Sequence, residues 1–266
     1  MATRSKRPPT SRKRESQKIA VQLLPVSGLP EVRAGDDLAS LIIQAAQRSR
    51  VGLRPEDILV IAQKIVSKAE GCVARLSSVQ PSARALKLAA VRNRDPRLVE
   101  VILQESRRLV REDPVLIVET HHGFVCANAG VDHSNVPGED VVTLLPRDPD
   151  LSARRLAAEI LRLTKKRVAV IISDSFGRPW RLGLTNVAIG AAGIPVLRDL
   201  RGTCDRHAKR LEATILAVAD ELAAAAGLVM GKSDGVPVVV IRGYHYCPAD
   251  ERATSIIRPA AEDLFR

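Results

Sequence analysis

With 266 residues and 45% hydrophobic content, the chain is long enough to bury a real core, as one large domain or two small ones. Aromatic residues make up only 2%, so that core must come from Leu, Ile, Val and Ala, and stacking platforms for single-stranded nucleic acid are not expected. Residues 1–18 hold seven Lys and Arg against Glu15 alone and carry six of the +11 formal charges, which predicts a disordered basic tail (1–18) on a moderately basic body (19–266).

No stretch has the apolar length of a secretory signal or a membrane span. Cys72, Cys126, Cys204 and Cys247 form no CxxC pair, so free thiols in a reducing cytoplasm are expected. His121, His122, Cys126 and His133 cluster in sequence but lack the spacing of a structural zinc site.

In chain order, IAVQLLPV (19–26) predicts a strand, and GDDLASLIIQAAQRSR (35–50) a helix opened by aspartate. DILVIAQKIVSKAEG (57–71) starts as a buried strand and stops at Gly71. PSARALKLAAVR (81–92) and DPRLVEVILQESRRLV (95–110) read as amphipathic helices with proline in the first turn. PVLIVET (114–120) and GFVCANAG (123–130) form a hairpin turning at 121–123, and DVVTLLP (140–146) is a further strand. DPDLSARRLAAEILRLT (148–164) is a capped helix feeding RVAVIISD (167–174), a strand of the fully buried type. The longest helical pattern runs over 206–231, VPVVVIRG (236–243) is a last core strand, and 248–265 reads as a helix interrupted at Pro259. The alternation predicts a mixed α/β protein with two intertwined subdomains.

Four places break the apolar pattern with groups suited to chemistry. Gly28 lets the backbone approach a ligand closely. Lys64 and Lys68 stand four apart after a strand, and Lys68 suits phosphate as a point charge. Asp132, in NAGVDHSN, suits either a turn or a metal. The apolar strand at 167–174 delivers Asp174 and Ser175 to its carboxyl end, a hard-oxygen pair for Mg²⁺ or Mn²⁺, with Arg178 and Arg181 nearby for phosphate or carboxylate. GKSDGVP (231–237) has the small-residue content of an anion loop without Walker spacing. A basic nucleic-acid-binding protein is the non-enzymatic alternative, but it leaves the strand-end carboxylates unexplained.

Taken together, SGLP (27–30), IVSKAEG (65–71), NAGVDHSN (128–135), LPRDPDLSA (145–153), ISDSFGRPWRLGLTNVAIGAAG (172–193) and GLVMGKSDGVPVVVIRG (227–243) resemble the coenzyme F420:L-glutamate ligase family. The resemblance covers nearly everything from 20 to 245. It implies a cytoplasmic homodimer that uses GTP to join L-glutamate to the F420 precursor through an acyl phosphate. Carried over by position, Asp132, Asp174 and Ser175 would ligate Mg²⁺ or Mn²⁺, with K⁺ a further cation. Ser27, Gly28, Leu29, Pro30, Gln63, Lys64, Lys68 and Asn135 would line the GTP site. Met230, Gly231, Lys232, Ser233, Asp234, Gly235 and Val236 would close over the nucleotide. A ligase acting on a different carboxylate-bearing cofactor keeps the same site.

Two positions depart from the family pattern. Lys232 stands where archaeal members place a group able to ligate a second metal, and Asp205-Arg206-His207-Ala208-Lys209 lacks the family's glycine. The chain ends before a nitroreductase-like domain could follow, so a stand-alone ligase is expected.

Overall fold

The computed structural model describes residues 20–263 except 92, 135–137 and 139, so the expected basic tail lies outside the described residues. The chain opens with β1 (Gln22–Val26), α1 (Leu38–Arg48), β2 (Ile58–Ala62) and α2 (Gln63–Ala69). An excursion follows, through β3 (Val73–Arg75), α3 (Ala83–Ala90), α4 (Pro96–Gln104), β4 (Ser106–Arg111), β5 (Ile117–Thr120), β6 (Val125–Ala127) and β7 (Val141–Thr143). The chain returns with α5 (Pro149–Thr164), β8 (Ala169–Arg178) and β9 (Arg181–Ala192). It then passes a small ribbon, β10 (Arg198–Asp199) and β11 (Ile215–Leu216), and closes with α6 (Val218–Met230) and β12 (Val238–Arg242).

The main sheet has the order β1-β12-β2-β8-β9, with β2 and β8 parallel and the other pairs antiparallel. This is the expected mixed α/β architecture. β2 and β8 are apolar on both faces because helices cover both. Leu59, Ile61, Val170 and Ile172 pack with Ile42 of α1 and Ile160 of α5, while Ile58, Val60 and Ile171 pack with Leu222 and Ala226 of α6. The excursion builds a separate small core around Val99, Ile102, Leu116 and Val118. Aspartates 37, 95 and 148 cap α1, α4 and α5 through their side chains, as their sequence positions predict.

Four expectations are corrected. The helix read over 95–110 ends at Gln104, and 106–111 is strand β4, paired with β5. The long helix read over 206–231 begins only at Val218. Before it, the Asp205 carboxylate accepts the His207 and Lys209 amides at 2.8 and 2.9 Å, Ala208 turns left-handed, and β-branched Ile215 joins a ribbon. Residues 248–265 carry two 3₁₀ turns instead of a helix, Ala253–Ile256 and Ala260–Glu262, because Pro248 and Pro259 break the ladder. Lastly, β8 continues past Asp174 to Arg178 and folds back as β9, a strand the apolar pattern does not predict. All four cysteines are free thiols.

Candidate active site

One edge of the main sheet gathers the loops that matter. β1 and β2 end there, β12 begins there, and β8 passes beside β2 in the register Ala62↔Ser173. Residues leaving these strands surround a cavity of about 580 Å³. α2 starts directly after β2 and places Gln63, Lys64 and Lys68 on its wall, one helical turn separating the lysines. The Lys68 ammonium is buried and meets Glu31 at 2.5 Å, on the loop after β1.

Asp132 reaches the same cavity from the excursion. Asn128, Ala129 and Gly130 are successive left-handed residues, and a Cβ on Gly130 would lie 2.7 Å from the Leu145 side chain, so this turn requires glycine there. The Asp132 backbone then bridges Thr143 beside β7, which fixes where its side chain emerges. The carboxylate accepts Ser134 N at 2.7 Å and Ser134 Oγ at 2.9 Å, and pairs with Lys64 Nζ at 2.7 Å. The Lys64 ammonium also donates to Ser134 Oγ. Burial pushes the Asp132 carboxyl up, but the Lys64 and Ser134 hydrogen bonds outweigh it and hold the group below its ordinary value.

Asp174 has the opposite balance. Burial pushes its carboxyl up to about 6, the Asp132 charge adding to the push while the Ser175 amide, Lys64 and Lys232 oppose it. α6 ends at Met230, and the capping Gly231 has a backbone (φ 59, ψ −158) that is glycine territory and a Cβ position taken by the Asp234 carboxylate. The chain turns there into the loop that carries Lys232, whose ammonium donates to Ser175 Oγ at 2.8 Å. Cys126 also lines the cavity. Burial, then the Asp174 charge, pushes its thiol up to about 12, so it is not a thiolate nucleophile.

The family profile for F420-0:Gamma-glutamyl ligase matches residues 28–243. The chain belongs to this family. It is 48% identical over 252 residues to the coenzyme F420:L-glutamate ligase of Methanothermobacter thermautotrophicus, covering 93% of this chain and 100% of that protein. It is similar at 46% over 254 residues to the enzyme of that name from Methanopyrus kandleri, covering 92% and 98%. The corresponding figures for Archaeoglobus fulgidus are 42% over 249 residues, covering 93% and 97%.

Of the residues the family resemblance points to, Leu29, Pro30, Gln63, Lys64, Lys68, Asp132, Asp174, Ser175, Met230, Gly231, Lys232, Ser233, Gly235 and Val236 line this one cavity. Ser27, Gly28 and Asp234 lie outside its lining; the Gly28 carbonyl instead accepts from Arg48 at 3.1 Å. Asn135 lies outside the described residues. Arg178 and Arg181 stand at the exposed tip of the β8–β9 hairpin, where Arg178 Nη2 donates to the Leu182 carbonyl at 2.6 Å, so the cavity of this chain does not receive them. The structure adds Glu31, Asn128, Ser173, Phe176 and Asn186 to the lining. Glu31 directly follows SGLP, and Asn186 sits in the unforeseen strand β9, where no regular burial period marks it.

Asp132, Asp174 and Ser175 offer hard oxygens only, the donor chemistry of Mg²⁺ or Mn²⁺. Among the described residues Asp174 makes no ion pair, and Ser173 Oγ and Gln63 Nε2, buried at the cavity, have no hydrogen-bond partner there. A cation and a polar ligand would satisfy these groups. Among the described residues no three His, Cys, Asp or Glu side chains gather into a metal cluster, so a cation would need oxygens from water or substrate as well.

Proposed function

We propose that the chain is a GTP-dependent ligase that adds L-glutamate to the coenzyme F420 precursor F420-0, through an acyl phosphate. The observation that carries this reading is the convergence of Asp132, Asp174 and Lys64, Lys68 and Lys232 on one cavity, in a chain similar to a coenzyme F420:L-glutamate ligase along 93% of its length. Phosphoryl transfer asks a protein mainly for positioning and neutralisation of charge, which lysines supply directly and carboxylates supply through a bound cation.

In the first step an acceptor carboxylate oxygen bonds to the terminal phosphorus of GTP, and the bond to the GDP oxygen breaks. The amine of L-glutamate, having lost a proton, then attacks the acyl carbon. The tetrahedral species expels phosphate and leaves an amide. Lys68, buried and steadied by Glu31, holds fixed positive charge against the nucleotide phosphates. Lys64 and Lys232 bring two further ammonium groups to the same cavity, from α2 and from the loop after α6. Asp132, Asp174 and Ser175 would hold Mg²⁺ or Mn²⁺, which supplies neutralisation of the phosphoryl oxygens when bound; K⁺ is a further candidate. Leu29, Pro30 and Gln63, with the loop after α6 beside them, line the nucleotide site in this reading.

The enzyme acts as a cytoplasmic homodimer in this reading. Trp180 is 78% exposed and Leu182 97% exposed at the hairpin tip, an apolar surface that a second copy would cover. No helix among the described residues is long and apolar enough to cross a membrane. GTP turnover is expected to rise only when F420-0 and L-glutamate are both supplied. Turnover unchanged by F420-0, or stimulated by another carboxylic acid alone, would reassign the acceptor.

A further inference from the structure

Ser175 lies directly across from Asn186 in the β8–β9 ladder. Its hydroxyl donates to Asn186 Oδ1 at 2.8 Å, and the Lys232 ammonium donates to the same serine oxygen at 2.8 Å. A hydroxyl has one proton and two lone pairs. With the proton committed to Asn186, Ser175 meets the cavity as an acceptor only, which suits cations. The Asn186 amide is itself oriented, because Nδ2 faces the Met230 sulfur at 3.5 Å and leaves the carbonyl oxygen for Ser175. Reversed, the amide would donate to Ser175 and turn the serine proton toward Lys232, breaking the contact.

Helix α6 presses on this arrangement at Gly227, where an added Cβ would sit 3.0 Å from Asn186 Cγ. Two strands and a helix end therefore converge to fix the direction of a single hydroxyl proton. Lys232 itself stands on an exposed loop, and a free lysine side chain there would lose much rotamer freedom on meeting a ligand. Anchored on Ser175 through one N–H, it has two more N–H groups for an anion.

We propose that Asn186 is a positioning residue of the ligase. By taking the Ser175 proton it holds the Lys232 ammonium at the cavity, where Lys232 receives a phosphate oxygen of the nucleotide. The proposal rests on the nucleotide reading given above, and adds to it a residue that does not itself touch the reacting atoms.

The test uses GDP as the probe, titrated calorimetrically into the intact protein with Mg²⁺ present. Lys232→Met and Asn186→Leu are each expected to weaken GDP about tenfold, the scale of a lost charge-assisted hydrogen bond. The double variant should bind no more weakly than Lys232→Met alone, because Asn186 acts through Lys232. Gly227→Ala offers a second route should Asn186→Leu fold poorly: alanine is the better helix former, so the thermal midpoint holds while GDP weakens, and that loss also vanishes without Lys232. Wild-type affinity in Asn186→Leu overturns the proposal, as does a loss that adds in full to that of Lys232→Met. A wild-type protein that binds no GDP overturns the nucleotide reading and this proposal with it, and is seen before any variant is made.

Discussion

Asp174 follows the apolar half of β8 without an ion-pair partner among the described residues, and burial pushes its carboxyl up to about 6 from 3.8. A carboxyl shifted upward in the folded state contributes stability that is fully present below its unfolded value and is lost as pH rises through the folded one. At about pH 7.5 the metal-free protein therefore carries an unfavourable buried charge of roughly 3 kcal/mol. Asp174→Asn should raise the thermal midpoint in chelator by several degrees at that pH, and the gain should shrink on acidification through 6. The same variant should be inactive. Scanning calorimetry at the two pH values decides this, and a destabilised variant would mean that Asp174 holds the fold together instead of serving a ligand. Lys68→Met should fold normally, since Glu31 is largely exposed and can return to water, yet lose about a hundredfold in kcat. Asp132, Asp174, Lys64, Lys68 and Lys232 were legible chiefly through the family motifs that carry them, since a turn aspartate or an exposed lysine alone is ordinary. Glu31, just past SGLP, was missed. Ser173 and Asn186 were missed too, because neutral polar residues inside strands leave no comparable mark.

The strands are tied to the cavity end by contacts at the opposite end of the sheet. Arg242, closing β12, donates to both oxygens of the fully buried Asp57 at 2.8 and 2.7 Å, and also to the Gly52 carbonyl at 2.7 Å. Arg242→Leu leaves that carboxylate buried and unpaired and should cost about 3 kcal/mol, read from the urea midpoint at unchanged slope. Buried strands β2 and β8 and helices α1 and α5 were legible from apolar runs and aspartate caps. β9 was not, because its exposed half, RLGL, has no buried face to set a period. The segment at 206–217 imitated a helix through Leu211 and Ile215, four apart, but Asp205 captures the local amides first and turns the chain.

At the scale of the whole molecule, the hairpin that supplies Asp174 and Ser175 runs on into an apolar tip, and Leu184 both lines the cavity and is 62% exposed. A second copy covering the tip would border the site, and would bring Arg178 and Arg181 to a surface between subunits. Leu182→Lys is expected to convert a wild-type dimer to monomers in light scattering; a wild-type protein that is already monomeric would contradict the assembly. The mixed α/β class was readable from alternating elements, whereas the convergence of distant loops on one cavity required the sheet order itself. The most direct measurement of the central claim follows oxygen. F420-0 labelled with oxygen-18 in its terminal carboxylate is incubated with GTP, L-glutamate, Mg²⁺ and the enzyme. The expected result is a product heavier by one glutamyl unit, GDP in equal amount, and one labelled oxygen in the released phosphate. An elongated product with unlabelled phosphate would contradict the acyl phosphate, and no elongation at all would contradict the ligase.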